Sequence, residues 1–193
     1  MPISPPDHAR LMFDGQFLHL YQWEQPMFDG SQATFECVTR TDGASVIPFL
    51  DRDTIVLTKQ WRPQDPDMFM DVPGGRADGD EDLATAAGRE LTEETGYRAA
   101  HLLEWRRFAH KGFVRYEQGL FLAAGLEDGI GTHTDAGEKI ETMIVSWNEL
   151  VRLSLENKLR EPRVMLAVLQ MEFDPDCRRK KEEWLDSVFL HKS

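Results

Sequence analysis

The segment from Gly74 to Tyr97 constrains the fold most strongly, because it predicts one helix whose two faces differ in character. Asp80 suits the N-cap position and Gly96 suits the position just after the helix, so the predicted helix spans about residues 81–95. An apolar stripe with a four-residue spacing runs along it and consists of Leu83, Ala87 and Leu91. This stripe predicts that one face of the helix packs against the core.

The other face of the predicted helix is acidic. Glu90, Glu93 and Glu94 stand at positions i, i+3 and i+4, which are neighbours on a helix surface. Like charges so placed cost about 0.2–0.5 kcal/mol per pair, although a solvated acidic face is common. The preceding glycines, Gly74 and Gly75, are expected to bring backbone carbonyl groups near the same face. Because Mg²⁺ prefers carboxylate and carbonyl oxygens, the pattern favours a metal site that relieves the repulsion.

The charge of the chain limits its partners. The 193 residues suit a single domain, and 22 basic against 34 acidic side chains give a formal net charge of −12. Nucleic acid is therefore not an expected partner, because proteins that bind it present a basic surface. An acidic protein can still bind phosphate groups when metal ions bridge the two negative surfaces.

Cysteine usage and the N-terminal segment indicate a cytoplasmic protein. Cys37 and Cys177 are too few and too far apart for a disulfide framework or a zinc site, and we expect both to be reduced thiols. The opening segment MPISPPDHAR lacks the basic and apolar regions of a signal peptide. No stretch approaches the roughly 18 apolar residues of a membrane span, so no membrane contact is expected.

The order of predicted elements indicates an α+β fold with a mixed β-sheet, because strands and helices do not alternate regularly. Residues 1–43 are expected to form a small antiparallel β arm, since Asp14-Gly15 separates two apolar runs in the manner of a hairpin. Residues 44–173 would form the main domain. Residues 174–193 are a charged tail, interpreted as a short exposed helix or a frayed end.

The helix and its glycines match a known motif. Gly75, Glu81 and the run from Arg89 to Tyr97 resemble the Nudix box, G-x5-E-x7-R-E-U-x-E-E-x-G-U, in which U is a bulky apolar residue. Every fixed position is filled, and Tyr97 is an aromatic where an aliphatic residue is usual. The resemblance implies the Nudix fold, in which a mixed β-sheet lies between α-helices and the box helix lies beside the active site.

A second resemblance points to a subfamily. The segment VLTKQWRPQDPDMFMDVPGG is similar to the one before the box in ADP-ribose and nucleotide-sugar pyrophosphatases. Trp61 replaces a tyrosine of that pattern, Asp71 a glutamate and Gly74 an alanine. Lys111 occupies the position at which ADP-ribose hydrolases often have a proline. This departure weakens the assignment of ADP-ribose as the substrate, so nucleotide sugars are expected almost as strongly. In this subfamily a β-rich arm helps to build a homodimer with a shared site.

The resemblance implies a role for several residues. The ligands of Mg²⁺, with Mn²⁺ as an alternative, would be Glu90, Glu93, Glu94 and the Gly74 carbonyl. Arg89 would orient the glutamates and Glu81 would be structural. Glu138 is the expected general base, with Asp135, Glu141 and Glu117 as rivals. The substrate contacts would be Arg62, Phe28, Trp61 and Asp71.

The implied reaction is hydrolysis of the diphosphate of a nucleoside diphosphate linked to a sugar. ADP-ribose would give AMP and ribose 5-phosphate, and a nucleotide sugar would give a nucleoside monophosphate and a sugar 1-phosphate. Two alternatives remain open, a ligand sensor without catalysis on the same fold and a nucleoside triphosphate pyrophosphohydrolase. Retention of every box carboxylate argues against the sensor, and the N-terminal arm argues against the triphosphate enzyme.

Overall fold

The computed structural model of the protein describes residues 4–63, 65–129 and 139–190. Within these ranges ten strands form one sheet. The strands are β1 (Arg10–Asp14), β2 (Leu18–Pro26), β3 (Gln32–Arg40), β4 (Gly43–Phe49), β5 (Thr54–Trp61), β6 (Phe69–Asp71), β7 (Gly74–Arg76), β8 (Tyr97–Lys111), β9 (Val114–Asp128) and β10 (Lys139–Ser146).

Strand β9 lies in the middle of the sheet. The main path of neighbouring strands is β1-β2-β3-β9-β4-β5-β10, while β6, β7 and β8 pair with β5, β4 and β9. β9 runs parallel to both β3 and β4 and antiparallel to β8. The other pairings between the named strands are antiparallel, so the sheet is mixed.

Helices cover both faces of this sheet. The described residues contain α1 (Leu83–Thr95), α2 (Trp147–Leu155), α3 (Pro162–Phe173) and α4 (Pro175–Phe189). Successive side chains of a strand point to opposite faces, and accordingly Val46 of β4 packs in the core with α1, whereas Phe49 packs in the core with α2, α3 and α4. The predicted α+β architecture, a mixed sheet between helices, is confirmed. No helix in the described ranges is both long and apolar enough to cross a membrane.

The N-terminal strands β1, β2 and β3 form an antiparallel arm at one edge of the sheet. β1 ends at Asp14 and β2 begins at Leu18, so the hairpin predicted at Asp14-Gly15 is confirmed. β3 joins the rest of the sheet through β9, where Val38 lies opposite Val114. Many exposed apolar side chains belong to this arm, among them Leu11, Met12, Phe13, Phe17, Leu18 and Phe35. The boundary at residue 43 and a role of the arm in dimerisation stay predictions.

The box helix begins two residues later than predicted. Asp82, and not Asp80, is the N-cap, and its Oδ1 accepts hydrogen bonds from the backbone N–H groups of Ala84 at 2.9 Å and Thr85 at 3.0 Å. Glu81 lies before the helix because its carboxylate accepts from the Asp78 N–H and from Arg89. The predicted end is confirmed, since Gly96 adopts the left-handed conformation with φ of 77°.

The charged C-terminal segment is neither frayed nor fully exposed over residues 175–189. It forms the 15-residue helix α4, and Leu185 and Val188 are buried in the core with α2 and α3. Lys181 is also buried, with its ammonium group 3.8 Å from the ring centroid of Trp147. Arg52 forms ion pairs with Glu182 and Asp186 and attaches the outer side of α4 to the β4–β5 loop. The helix is one of the two predicted forms of this segment, but the expected full exposure is wrong because its few apolar residues fall on one helical face.

Candidate active site

Two glycines allow close approaches on either side of β7, one to strand β4 and one to the box helix. Gly74 and Gly75 in β7 pair with Ser45 and Ala44 in β4. A Cβ atom at Gly74 would overlap the carbonyl oxygen of Ala44, and a Cβ atom at Gly75 would overlap the carboxylate of Glu90. A Cβ atom at Gly74 would therefore push β7 away from β4, and a Cβ atom at Gly75 would displace the Glu90 carboxylate, which explains why glycine suits both positions.

Glu94 is a buried carboxylate that binds this glycine turn. The residue is 4% exposed. Its Oε2 atom accepts a hydrogen bond of 3.0 Å from the backbone N–H of Gly74, and its Oε1 atom accepts one of 3.0 Å from the amide of Gln60. The guanidinium of Arg62 lies 3.9 Å from the same Oε1 atom. These donors stabilise a negative charge in a site largely excluded from water.

Arg89 lies among the other glutamates of the segment. Its guanidinium donates to Glu81 at 3.0 Å, Glu90 at 3.0 Å and Glu93 at 2.8 Å, and also to the Arg76 carbonyl oxygen at 2.8 Å. The hydrogen bond from Arg89 is the main cause that holds the pKa of Glu81 below its ordinary value. The same hydrogen bond is the main cause that raises the pKa of Arg89. One guanidinium thus offsets part of the repulsion among three carboxylates.

A polar cavity of about 230 Å³ opens beside the glycine turn. Four arginines line it, which is unusual in a chain with a net charge of −12. They are Arg40, Arg62, Arg76 and Arg160. Gly74 and Gly75 line the same cavity, so the arginine-rich space adjoins the turn that contacts Glu90 and Glu94. This geometry suits an anionic ligand held by arginines next to a cluster of carboxylates.

The family of the chain is settled by its match to a family model. The model of the NUDIX domain matches residues 39–168, which is well over half of the chain. This chain belongs to the Nudix family. It is a Nudix hydrolase, and the resemblance seen in the sequence is confirmed.

Several known proteins are similar to this Nudix hydrolase. The ADP-ribose pyrophosphatase of Bacillus subtilis (strain 168) is 25% identical over 174 residues, which cover 88% of this chain and 93% of the relative. The methanol dehydrogenase activator of Bacillus methanolicus is also 25% identical over 174 residues, with 88% and 92% covered. A CMP-5'-(N-acetyl-N-hydroxy-3-aminopropyl)phosphonate hydrolase of Streptomyces rubellomurinus (strain ATCC 31215) is 32% identical over 148 residues, with 75% and 70% covered.

A solved structure shows the same fold. The crystal structure of an ADP compounds hydrolase superposes with a TM-score of 0.73 and covers 94% of this chain and 93% of its own. The two sequences are 16% identical, so this likeness concerns the fold. Together with the relatives, it places the chain among Nudix hydrolases that resemble ADP-ribose pyrophosphatases.

The structure brings most of the predicted Nudix site residues together. Glu90 and Glu94 meet at the turn that contains Gly74, and Arg89 joins Glu90 to Glu93. Arg62 and Asp71 line the adjoining cavity. Their assigned roles in binding metal or substrate stay predictions.

Two predicted substrate contacts do not lie in the cavity. Phe28 is fully exposed in the turn between β2 and β3. Trp61 is 38% exposed at the end of β5, opposite Lys139 of β10. Neither residue lines the arginine cavity, so within one chain neither has a described contact with it.

Asp71 has an unusual protonation equilibrium. Burial is the main cause that raises the pKa of this half-buried carboxyl to about 7, and the charge of Glu161 adds to the shift. A hydrogen bond from the Val72 N–H, at 2.9 Å, acts in the opposite direction. Below pH 7 the cavity therefore loses one negative charge and its arginines dominate more strongly.

The expected general base, Glu138, lies outside the described residues, as does its rival Asp135. The two other rivals are both engaged. Glu141 forms an exposed ion pair of 2.8 Å with Lys139, and Glu117 forms one of 3.3 Å with Arg107. Both carboxylates thus have a basic partner, and their role as alternatives to Glu138 stays a prediction.

The donor atoms at the glycine turn fit a hard divalent cation. Glu90 and Glu94 reach the turn from one helical face, and carboxylate and carbonyl oxygens are the ligands that Mg²⁺ prefers. In the described ranges, no three acidic, histidine or cysteine side chains are arranged as a metal site. The carboxylates are instead turned toward Arg89, Gln60 and the Gly74 N–H. The chemistry of the donors fits, and a bound cation would replace some of these partners.

Sequence reasoning missed much of the cavity wall. The residues it did not single out include Arg40, Arg76, Tyr116, Gln118, Arg160 and Glu161. They come from the ends of β3, β7 and β9 and from the segment before α3, so no common spacing links them. Arg76 is the exception, because it directly follows Gly75 of the box.

Proposed function

We propose that this Nudix hydrolase cleaves the diphosphate of a nucleoside diphosphate linked to a sugar, in a reaction that depends on Mg²⁺. ADP-ribose, which would give AMP and ribose 5-phosphate, is the first candidate. Nucleotide sugars, which would give a nucleoside monophosphate and a sugar 1-phosphate, are the second. The names of the Bacillus subtilis relative and of the solved structure support an ADP-containing substrate.

One observation carries the proposal, namely that the arginine cavity and the glutamate cluster share the Gly74–Gly75 turn. A diphosphate carries several negative charges and needs cations on more than one side. The arginines can bind its oxygens through charge-assisted hydrogen bonds. The carboxylates cannot bind phosphate directly, but they can hold the cations that do.

Different side chains bind the metal and the substrate in the proposed reaction. Glu90, Glu93, Glu94 and the Gly74 carbonyl would hold Mg²⁺, and Arg89 keeps the first two carboxylates in place. When bound, Mg²⁺ offsets charge on phosphate oxygens and lowers the pKa of water. Arg62 and its neighbours in the cavity fix the diphosphate so that one phosphorus faces the attacking water.

Glu138 is proposed to accept the proton of that water as the bond between the phosphorus and its bridging oxygen breaks. The segment that carries Glu138 directly precedes β10, which pairs with β5. Phe28 and Trp61 are proposed to contact the nucleobase. Because Phe28 belongs to the arm and not to the cavity, this contact would require a homodimer in which the arm of one copy reaches the other.

A product assay tests the proposed function. ADP-ribose, ADP-glucose, GDP-mannose, UDP-glucose and a nucleoside triphosphate would be incubated with the protein and Mg²⁺, and the products identified by mass. We expect a nucleoside monophosphate from ADP-ribose or a nucleotide sugar, and none after chelation of the metal. Mn²⁺ in place of Mg²⁺ tests the choice of ion.

The assay also separates the alternatives. Turnover of the triphosphate alone would replace the proposal with a pyrophosphohydrolase. Binding of ADP-ribose without any turnover would favour a sensor. Light scattering after size-exclusion chromatography tests the homodimer, because a mass near 22.2 kDa would refute it.

A further inference from the structure

Three flat groups are stacked at the edge of the arginine cavity. The His110 and Tyr116 rings lie 3.8 Å apart between centroids with an angle of 18° between their planes. The Arg40 guanidinium lies 4.2 Å from the centroid of the same Tyr116 ring. Two groups so close to one centroid must occupy opposite faces of the ring, so Tyr116 is sandwiched between His110 and Arg40.

The register of the sheet produces this stack. His110 of β8 lies directly opposite Tyr116 of β9. On the other side of β9, Thr39 of β3 pairs with Arg115, and one residue further along this parallel register Arg40 stands beside Tyr116. Side chains at the same level of adjacent strands are neighbours on one face of a sheet. Three strands thus present one side chain each to the stack.

Arg163 fixes the far end of the stack from the first turn of α3. Its Nη2 atom lies 3.0 Å from Nδ1 of His110. A guanidinium can only donate, so Nδ1 accepts, and we assign the ring hydrogen to Nε2 of a neutral imidazole. Burial, followed by the charge of Arg163, holds the pKa of His110 below its ordinary value, which agrees with a neutral ring. Nε2 is buried without a hydrogen-bond partner among the described residues.

We propose that Tyr116, His110 and Arg163 are positioning residues that hold the Arg40 guanidinium in the orientation that binds a phosphate group of the substrate. Arg40 and Tyr116 both line the cavity, whereas His110 and Arg163 stand behind them. A further contact, from Nε of Arg40 to the Thr41 carbonyl oxygen at 3.2 Å, leaves the two terminal nitrogens as the donors for a phosphate.

The stack explains how an arginine at a strand end can be held ready for its ligand. A long side chain loses rotamer freedom when it binds, and a guanidinium already held against a ring loses less. The His110 imidazole must be neutral, because a protonated ring at this position would repel both Arg40 and Arg163. The inference rests on the proposed function, since it assumes that the cavity binds a diphosphate.

The test is a double-mutant cycle on the binding of ADP-ribose, measured by calorimetry with the metal chelated so that no turnover occurs. We expect Tyr116→Leu and Arg40→Ala each to weaken binding about 10-fold. Tyr116→Phe keeps the ring and should bind like the wild type. Because Tyr116 acts through Arg40, the double variant Arg40→Ala with Tyr116→Leu should bind no more weakly than Arg40→Ala alone.

A matched control is Tyr21→Leu, because Tyr21 lies in strand β2 and does not line the cavity, so this variant should leave binding unchanged. Additive losses in the double variant, or a loss in Tyr116→Phe equal to that in Tyr116→Leu, would overturn the inference alone. A wild-type protein that neither binds nor cleaves any nucleoside diphosphate sugar would overturn the proposed function, and the inference with it. In the assay with Mg²⁺, Tyr116→Leu should raise KM about 10-fold and leave kcat within about twofold.

Discussion

The backbone N–H of Gly74 donates a hydrogen bond of 3.0 Å to Oε2 of Glu94, a residue 20 positions later in the chain. This contact joins the glycine turn, which lines the arginine cavity, to a buried carboxylate of the box helix. Two contributions of Glu94 can therefore be tested separately, namely the hydrogen bond that maintains the turn and the negative charge that is proposed to hold the metal.

Replacing Glu94 with glutamine tests this separation. Glu94→Gln keeps an oxygen that can accept from the Gly74 N–H but removes the negative charge. We expect turnover of the best substrate to fall about 100-fold or more, because a cation held there would lose a ligand. Thermal unfolding should change by only a few degrees. Unchanged turnover would refute the metal role of Glu94.

The close approach at Gly75 gives a second prediction. In Gly75→Ala the new methyl group would overlap the Glu90 carboxylate, so this side chain must move. A displacement of about 1 Å in a catalytic site can cost about 100-fold in rate, and we expect a loss of that order in kcat. Gly88→Ala is the matched control in the same segment, because a Cβ atom there meets nothing within 4 Å.

The control should even stabilise the protein. Gly88 lies inside α1, where alanine is the better helix former, so the free energy of unfolding should rise by about 0.5–1 kcal/mol. Activity should be unaffected. Equal activity of Gly75→Ala and Gly88→Ala would show that the position of Glu90 does not matter.

Arg89 is expected to stabilise the protein in a way that depends on pH, and removal of its charge should abolish this contribution. Arg89→Met leaves Glu81, Glu90 and Glu93 without their shared donor, and unfolding at pH 7 should become easier by about 2 kcal/mol. Arg89 lowers the pKa of Glu81 from 4.5, so this stabilisation is present above pH 4.5 and is lost as the pH falls through the lowered pKa.

The measurement is urea denaturation of both proteins between pH 3 and pH 8. The difference between wild type and Arg89→Met should be largest near neutrality and should shrink at acidic pH. A difference that stays constant across this range would mean that Arg89 stabilises the protein by packing and not by charge.

The raised pKa of Asp71 predicts a pH dependence of stability whose sign is opposite to that of the Arg89–Glu81 contribution. Its pKa is raised from 3.8 to about 7, so between these values the folded protein binds more protons than the unfolded chain. Stability should therefore fall as the pH rises through this window, by up to about 1.4 kcal/mol per pH unit from this group. Asp71→Asn, which cannot ionise, should lose this contribution while keeping an acceptor for the Val72 N–H.

The same group should affect substrate binding. Above pH 7 the ionised Asp71 carboxylate would oppose an anionic ligand in the cavity, so KM should rise with pH in the wild type. In Asp71→Asn this rise should be absent. If KM depends on pH in the same way in both proteins, the charge of Asp71 does not affect substrate binding.

Glu138 is expected to act as the general base, and Glu138→Gln should lower kcat about 10²–10⁴-fold with little change in KM. Glu141→Gln is its matched control, since Glu141 is close in sequence but forms an exposed ion pair with Lys139. The pH profile of kcat should lose its acidic limb only in Glu138→Gln. Loss of activity in Glu141→Gln instead would move the role to that residue.

Much of the site could be predicted because it is local in sequence. The i, i+3 and i+4 spacing of Glu90, Glu93 and Glu94 fixes them on one face, and Gly75 precedes them at a set distance. The first residue of helix α1 is more difficult to predict from the sequence, since Asp80 and Asp82 are both suitable N-cap residues. Only the three-dimensional contacts show that Asp82 reaches the N–H groups of the first turn.

The rest of the cavity depends on contacts between distant segments. Arg40 and Arg160 are 120 positions apart in the sequence, and nothing in either local pattern distinguishes them from surface arginines. The packing of helix α4 is not evident from the sequence for a related reason. Its charged residues dominate the composition, and its packing depends on only a few residues such as Leu185 and Val188.

The central position of β9 has a consequence for how the chain acquires its structure. Its parallel partners are distant, as Gly43 pairs with Gln118 and Thr39 with Arg115. Pairings that close such long loops form slowly, and on the ribosome they must wait until β9 has emerged. The arm can form its own hairpins early, but it stays unanchored until then. The arginine cavity, whose walls include both Arg40 and Tyr116, should therefore be among the last parts of the molecule to form.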